Sequence, residues 1–246
     1  MSPPPRSTRR PPPFSWPQEK KRLREAGYEL VAGVDEVGVG ALAGPVVAAA
    51  AILPLEARFP GLRDSKVMTP EQREEVYVRA LRRGFTCAVG LAYVQEIDSL
   101  NIFHATRLAM TRAVRCLSPT PDFLLMDGHL PPDFGLPCRA VVKGDALCPA
   151  ISLASILAKV YRDRLMRRLA LLFPPYAWEN NKGYGSPTHY RALEMYGPCP
   201  LHRRSFSPIS RLEQLSLVLE ETGAGEALWE GEDGRMEEDN GWGEGE

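Results

Sequence analysis

The sequence predicts an α/β protein: a mixed five-stranded sheet flanked by helices, with a C-terminal helical segment. Three predicted strands occur in succession with only one helical pattern between them, which favours an antiparallel meander. Two more short strands then alternate with long amphipathic helices. A chain of 246 residues with ordinary globular composition is long enough to bury a sizeable core.

The first half of the chain supplies the meander. A short charged helix is predicted over Glu19–Ala26 and ends at Gly27. Two apolar runs predict buried strands, with a glycine-containing turn between them. Thr69 is a good N-cap and Pro70 suits the first helical position, so a helix should run from there to about Arg83. The three strands are predicted at Leu30–Val34, Val46–Leu53 and Cys87–Val94.

The second half supplies the longer helices. Apolar residues at helical spacing predict a helix over Asp98–Leu117; this face comprises Ile102, Ala105, Leu108, Ala109, Ala113 and Cys116. Strands are predicted at Asp122–Gly128 and Arg139–Val142. Further helices are predicted at Pro149–Leu172, His189–Tyr196 and Leu212–Leu228.

Charge divides the chain into three parts. Residues 1–27 form a Pro- and Arg-rich arm, expected to be disordered, with seven basic residues against two acidic ones. Residues 220–246 form an acidic Gly- and Glu-rich tail with eleven acidic residues against one Arg, also expected to be disordered. The domain between them, residues 28–219, carries a net charge of +4. This mild positive charge fits a polyanionic partner, although solubility explains it equally well.

The cysteines and the hydropathy indicate a cytoplasmic protein. There are five Cys, an odd number without CxxC spacing, so reduced thiols are expected in place of a disulfide framework or a zinc site. No apolar run approaches the roughly 18 residues of a membrane span. The N-terminus lacks the apolar core of a secretory signal. We therefore expect no membrane association.

Carboxylates end three of the predicted strands: Asp35 with Glu36, then Asp127, then Asp145. Gathered at one place, bare carboxylates would repel each other and raise each other's pKa, and a hard divalent cation would relieve this. Oxygen ligands suit Mg²⁺ or Mn²⁺, and two such ions can hydrolyse a phosphodiester. Adjacent strand residues point to opposite faces, so Asp35 and Glu36 can share a site only where the strand ends or twists.

Each of these groups has a simpler interpretation when it is taken alone. Asp35 and Glu36 could form a solvated turn, and Asp127 with Gly128 is a common turn dipeptide. Asp145 could pair with Lys143. Arg162 and Asp163 on the long helix read as a structural ion pair. The metal hypothesis therefore depends on the carboxylates as a set.

The chain resembles the ribonuclease HII family, the type 2 ribonucleases H of prokaryotes, in motifs that occur in family order across residues 28–210. They lie at 32–38 (AGVDEVG), 42–46 (LAGPV), 64–66 (DSK), 101–106 (NIFHAT), 125–128 (LMDG), 142–145 (VKGD), 154–160 (ASILAKV), 162–163 (RD), 182–184 (KGY) and 202–206 (HRRSF). The resemblance implies an RNase H-like fold and cleavage of RNA in RNA–DNA hybrids. It also implies incision at single ribonucleotides embedded in duplex DNA, with Mn²⁺ or Mg²⁺ as cofactor. We expect a monomer.

The resemblance also implies residue roles. Asp35, Glu36, Asp127 and Asp145 would be the catalytic, metal-binding carboxylates. The segment Gly38, Val39 and Gly40 would read the ribose 2′-OH through its backbone, and Tyr184 would stack on the sugar at the RNA–DNA junction. Lys143, Arg203 and Arg204 would contact phosphates, with solvated surface charge as the alternative. Ser155 and Lys159 could contact substrate or simply pack.

Val39 departs from the family pattern, which has Gly-Arg-Gly where this chain has Gly-Val-Gly. Loss of the guanidinium predicts weaker binding of the nucleic acid, while the loop backbone should still recognise the ribose 2′-OH. Three alternatives remain at this stage: the sister ribonuclease HIII, disfavoured because only 27 residues precede Tyr28; a non-catalytic hybrid-binding protein; and a DNA-cleaving nuclease of the RNase H-like superfamily.

Overall fold

The computed structural model describes residues 14–62, 65–129, 131–212 and 214. The chain divides into two units, residues 1–203 and residues 204–246. The first unit contains the helices α1 (Trp16–Glu25), α2 (Pro70–Arg82), α3 (Val94–Arg115), α4 (Gly144–Leu147), α5 (Pro149–Ala170), α6 (Trp178–Asn181) and α7 (Pro187–Tyr196), and the strands β1 (Val31–Val37), β2 (Val46–Ile52), β3 (Cys87–Ala92), β4 (Phe123–Asp127) and β5 (Cys138–Val141). The described part of the second unit is a short turn in which the Ser210 N–H donates to the Phe206 carbonyl.

The predicted mixed five-stranded sheet is confirmed, with strand order β3-β2-β1-β4-β5. β1, β2 and β3 pair antiparallel as a meander. β4 joins β1 in parallel, and β5 joins β4 in parallel. The parallel pairs bring the carboxyl ends of β1, β4 and β5 to one edge of the sheet.

Helices cover both faces of the sheet. Every residue of β2 is buried, and because successive strand residues point to opposite faces, both faces must be covered. α5 packs on β1 and β2, while α3 packs on β2 and β3. Gly33 allows the closest of these approaches: a Cβ built on it would lie 2.1 Å from the Ala150 backbone at the start of α5.

Three element boundaries differ from the sequence predictions by three or more residues. The arm is not disordered throughout, because α1 begins at Trp16 and buries Leu23 in the core. β1 continues through Asp35 and Glu36 to Val37, whereas the prediction ended it at Val34. α3 begins at Val94, four residues early.

A break inside α3 explains why its amino-terminal part was missed. Asn101 has φ 66° and ψ 164°, which interrupts the helix, and its side-chain Oδ1 accepts the N–H groups of Phe103 and His104. Asn101 thus caps the longer segment that the periodicity indicated. Ala105, Ala109 and Ala113 of the predicted apolar face are buried, whereas Cys116 is exposed.

Several predicted features lie outside the described residues: residues 1–13 of the arm, most of the helix predicted at Leu212–Leu228, and the acidic tail. Within the described parts of the chain, no helix is both long and apolar enough to cross a membrane.

Candidate active site at the carboxyl edge of the sheet

Two carboxylates lie near the carboxyl ends of neighbouring parallel strands. β1 and β4 pair with Val34 opposite Met126, so continuing that register places Asp35 beside Asp127. Asp35 is 5% exposed and lies two residues beyond Gly33, on the face that α5 covers. The meeting of these two carboxylates, predicted from their positions at strand ends, follows directly from the parallel pairing.

Glu36 lies on the opposite face of β1 from Asp35 and still reaches the same site. It alternates to the face covered by α3, where it lines a groove with Ile102 and Phe103. It also lines the larger cavity that contains Asp35. Because β1 ends at Val37, one residue later, side chains from both faces reach the cavity around the end of the strand.

Asp145 reaches the site from a helix and not from a strand end, which corrects the prediction. β5 ends at Val141, and Lys143 takes a left-handed conformation (φ 57°) that starts the short helix α4. This turn directs the Gly144 N–H to Asp127 Oδ1 at 2.6 Å. Asp145 is 4% exposed, and its cationic partner is Lys66, whose Nζ lies 2.8 Å from Asp145 Oδ2, in place of the suggested Lys143.

Burial and mutual repulsion disfavour the charged forms of three of these groups. Burial raises the pKa of Asp35 well above its ordinary value, and the charge of Glu36 raises that pKa further. Burial and then the charge of Asp127 raise the pKa of Glu36. Burial raises the pKa of Asp127, with a further contribution from Asp145. The carboxyl groups therefore favour either a proton or a bound cation.

Two hydroxyl groups support Asp35. Ser155, on α5, hydrogen-bonds to the Asp35 carboxylate, which lowers the pKa that burial raises. Ser65 Oγ lies 2.9 Å from Ser155 Oγ, and both serines are buried. The sequence left Ser155 undecided between packing and substrate contact, and Ser65 entered only as part of the motif at 64–66. The available signal was the position of Ser155 within the mainly apolar run at residues 150–158 of this helix.

The donor set fits a hard divalent cation, but the side chains are turned toward other partners. Asp35 accepts from the Glu36 N–H, Asp127 accepts from Gly144, and Asp145 accepts from Lys66. Accordingly, among the described residues no three His, Cys, Asp or Glu side chains already stand as a ligating group. Cation binding would require these carboxylates to exchange some of their present hydrogen bonds.

Two buried arginines hold the glycine-rich loop between β1 and β2. Arg203 donates to the carbonyl groups of Gly38, Val39 and Gly44 at 2.7–3.1 Å. Arg162 donates to the carbonyl groups of Ala43, Pro45 and Lys182 at 2.8–3.0 Å. Both arginines are 0% exposed.

These contacts reassign both arginines. Arg203 does not lie on the surface where a phosphate could bind, and Arg162 binds backbone in place of the expected ion pair with Asp163. Asp163 instead pairs with Lys159 at 2.7 Å. Gly38 is required beside Arg162, because its φ is +91° and a Cβ there would lie 2.2 Å from Arg162 Nε.

A cavity of about 540 Å³ joins the carboxylates to the loop. Its basic and aromatic members are Lys66, Arg73, Lys159 and Tyr184, and the loop contributes Gly38, Val39 and Gly40. Tyr184 is partly exposed, and the Arg162 guanidinium lies 5.3 Å from its ring centre. Lys66 and Arg73 were not predicted as site residues, and Lys159 was left undecided between substrate contact and packing.

A second, more apolar groove of about 360 Å³ lies on the α3 side. It shares Glu36, Val39 and Asp127 with the cavity, so Val39 stands between the two. Phe103 is 52% exposed there, and the Arg107 guanidinium lies 5.2 Å from its ring centre. The remaining predicted phosphate contacts, Lys143 and Arg204, are both exposed. Lys143 is not among the residues that line this groove or the cavity.

Comparison with known proteins gives one consistent result. The sequence profile of the Ribonuclease HII family matches residues 32–209. A Ribonuclease HII of Solibacter usitatus is 50% identical over 190 residues, which cover 77% of this chain and 83% of that protein. A Ribonuclease HII of Chlamydia muridarum is 49% identical over 184 residues, which cover 74% of this chain and 84% of that protein.

Solved structures share the fold. The ribonuclease H2 of Pyrococcus horikoshii superposes with a TM-score of 0.65 at 27% identity, covering 75% of this chain and 97% of that one. The RNase HII of Archaeoglobus fulgidus, solved in a complex with PCNA, gives a TM-score of 0.61 at 23% identity, covering 72% and 95%. Bst-RNase HIII, solved with Mn²⁺, gives 0.58 at 19% identity, covering 78% and 71%.

Proposed function

The chain belongs to the ribonuclease HII family, and from that premise we propose how this ribonuclease H acts on RNA–DNA hybrids. It cleaves the RNA strand endonucleolytically and also incises duplex DNA at single embedded ribonucleotides, leaving 3′-OH and 5′-phosphate ends. The observation that carries the proposal is one cavity at the edge of the sheet that Asp35, Glu36 and Asp127 line together with the loop. Asp145 is linked to it through Lys66, which also lines the cavity.

Asp35, Glu36, Asp127 and Asp145 would hold the divalent cations, Mn²⁺ or Mg²⁺, because all four offer carboxylate oxygens. Two bound ions would activate a water for in-line attack on the phosphorus and stabilise the leaving 3′-oxygen. The raised pKa values of Asp35, Glu36 and Asp127 support this assignment, since burial and then the neighbouring carboxylates raise them, and a bound cation would stabilise the charged forms. Asp145 would exchange the Lys66 ammonium for an ion.

The cavity walls would bind the substrate backbone. Lys66 and Lys159 present ammonium groups near the carboxylates, and Arg73 is anchored by its own bonds to the carbonyl groups of Ser65 and Met68. Positive charge at this position attracts phosphates and partly offsets the acidic cluster. We assign phosphate contact to these residues in preference to Arg203.

The loop would distinguish RNA from DNA. Arg203 fixes the carbonyl groups of Gly38 and Val39, which leaves the loop backbone in one conformation where it borders the cavity. We assign this backbone to the ribose 2′-OH, the group that marks RNA at a given position. Tyr184, which lines the same cavity as the loop, would stack on the sugar that follows.

A three-substrate cleavage assay tests the proposal. The duplexes carry a full RNA strand, a single embedded ribonucleotide, or DNA only, and each is incubated with and without Mn²⁺ or Mg²⁺. We expect metal-dependent cleavage of the first two and none of the third. Cleavage of all-DNA duplex would indicate a different nuclease of the superfamily, and binding without cleavage would indicate a non-catalytic hybrid-binding protein.

The matched variant is Asp35→Asn, which keeps the shape and removes the charge. Loss of a transition-state contact of this kind costs about a hundred- to a thousandfold in rate. We expect a loss of at least that size with hybrid binding retained, as measured by gel shift. Normal turnover in Asp35→Asn would overturn the assignment of the site.

A further inference from the structure

A chain of hydrogen bonds joins the loop at Cys199 to the backbone of Tyr184 through two buried histidines. The Cys199 N–H lies 2.9 Å from His202 Nδ1, and His202 Nε2 lies 2.9 Å from His189 Nε2. His189 Nδ1 lies 2.9 Å from the Tyr184 carbonyl oxygen. His189 is 0% exposed and His202 is 1% exposed, so water cannot replace these partners.

The partners at the two ends determine where the protons lie. The Cys199 N–H can only donate, so His202 Nδ1 is an unprotonated acceptor. The Tyr184 carbonyl can only accept, so His189 Nδ1 carries a proton. The neutral His202 must then hold its proton on Nε2 and donate it to the bare Nε2 of His189.

A third contact agrees with this assignment. The Trp178 indole N–H donates to His189 Nε2 at 3.2 Å, which requires that nitrogen to be an acceptor. Trp178 and Tyr176 pack their rings around the pair. Burial lowers the pKa of both histidines, and that of His202 falls to about 4, so both are neutral at physiological pH.

The Tyr184 backbone is held from other sides as well. Lys182 and Gly183 both have positive φ, which gives the loop its sharp turn. The Gly183 carbonyl accepts the N–H groups of Leu42 and Ala43, and the Tyr184 N–H donates to the Asn181 carbonyl. The histidine pair supplies the contact to the Tyr184 carbonyl and therefore determines how this peptide plane is oriented.

We propose that His189 and His202, each locked in one tautomer, form a positioning pair that orients Tyr184 against the sugar of the substrate. The pair touches neither substrate nor metal ligands; it acts through the Tyr184 carbonyl. The proposal rests on the role given above to Tyr184, while the tautomers themselves do not depend on that role.

Imidazole ¹⁵N chemical shifts in the full, unmodified protein test the tautomers directly at neutral pH. We expect the Nδ1–H form for His189 and the Nε2–H form for His202, identified by comparison with spectra of His189→Asn and His202→Asn. The opposite tautomer at either position, or a doubly protonated ring, would overturn the proposal. This readout involves no cleavage, so it stands apart from any failure of the proposed function.

Two neutral amides at position 189 test the positioning role. The Asn amide nitrogen can occupy the place of Nδ1 and donate to Tyr184, whereas the longer Gln places its amide near Nε2. For duplex with one embedded ribonucleotide, we expect His189→Gln to raise KM by about three- to tenfold, the size of one neutral hydrogen bond, with kcat nearly unchanged. His189→Asn should leave KM close to that of the unmodified protein. Equal KM values in the two variants would overturn the positioning role.

A double substitution establishes whether the effect passes through Tyr184. In a Tyr184→Ala background, His189→Gln should raise KM no further, because the ring that it positions is absent. A full additional increase in that background would show that the histidines act on the substrate by another route and would overturn the proposal.

Discussion

The carboxylate cluster and the arginine-held loop lie side by side, and they treat buried charge in opposite ways. Asp35, Glu36 and Asp127 are crowded acids whose pKa values are raised by burial and by neighbouring carboxylates. Arg162 and Arg203 are buried as well, but each guanidinium is bonded to at least three backbone carbonyl groups. The charges of the acids are disfavoured by their surroundings, whereas the charges of the two arginines are stabilised by hydrogen bonds to backbone carbonyl groups.

This difference separates the two tasks of the site. A bound cation would stabilise the ionised forms of these crowded carboxylates, so that region is suited to binding metal. A loop whose carbonyl groups are already satisfied has one preferred backbone conformation, so that region is suited to recognising a fixed shape. The comparison predicts that neutralising a charge should have opposite effects on stability in the two regions.

The largest expected effect on stability is in the loop region. Arg203→Leu removes the donors to Gly38, Val39 and Gly44 and leaves buried carbonyl groups unsatisfied. Burial and the neighbouring Arg162 charge lower the pKa of Arg203 to about 9, so it remains charged at physiological pH. We expect the free energy of unfolding to fall by about 3 kcal/mol or more, measured by urea denaturation.

Arg203→Lys is the control for the loop region. It keeps the charge but loses the planar fork that reaches three carbonyl groups, so an intermediate loss is expected. If Arg203→Leu were as stable as the unmodified protein, the guanidinium would not be what holds this loop.

The opposite sign is expected among the acids. In the absence of divalent cations, Asp35→Asn should raise the free energy of unfolding by about 1 kcal/mol, because it removes a buried charge that repels Glu36. The same urea experiment with Mg²⁺ present should remove or reverse the gain. Destabilisation of the metal-free variant would contradict the view that the charge of Asp35 destabilises the metal-free protein.

The pH dependence of stability sharpens the same point. A raised native pKa means that Asp35 contributes stability below the ordinary carboxyl pKa of 3.8 and loses that contribution as pH rises through the native pKa. The unmodified protein, without metal, should therefore lose stability relative to Asp35→Asn as pH rises above 3.8, by at most about 1.4 kcal/mol per pH unit.

The two proteins must be compared at each pH, because His202 contributes in the opposite direction. Its pKa is lowered to about 4, so its contribution is lost as pH falls below the ordinary value of 6.5. The histidine contribution cancels in the difference between the two proteins. A difference that does not change with pH would mean that Asp35 titrates normally.

The smallest effect is expected where the two regions meet, at Val39. Val39→Arg would place a guanidinium between the cavity and the α3-side groove. We expect hybrid binding to tighten by about three- to tenfold, with the slope of log K against log salt steeper by about 0.9. Val39→Leu is the uncharged control, and equal binding by the two variants would mean that no phosphate lies within reach.

Strand-end carboxylates could be predicted because their positions follow from local pattern. Asp35 and Asp127 each close an apolar run, and parallel pairing then brings such ends together. The capping box of Thr69 and Gln72 likewise fixed the start of α2 from neighbouring residues alone. These features depend on contacts that are short in sequence or on the regular geometry of a sheet.

The supporting residues could not be predicted because their environment is made by distant segments. Arg203 lies in a run of basic residues that reads as surface, yet carbonyl groups more than 150 positions earlier in the chain enclose it. Lys66 pairs with Asp145 across 79 positions. Composition reports that such residues are charged, but it does not report what surrounds them.

Gly33 shows how the lack of a side chain can set a distance in the active site. Gly33 lies where β1, which carries Asp35, contacts α5, which carries Ser155. A methyl group at this position would collide with the Ala150 backbone. Gly33→Ala would push α5 outward and lengthen the hydrogen bond from Ser155 to Asp35. Part of the geometry of the proposed active site is therefore specified by a residue that contributes no functional group.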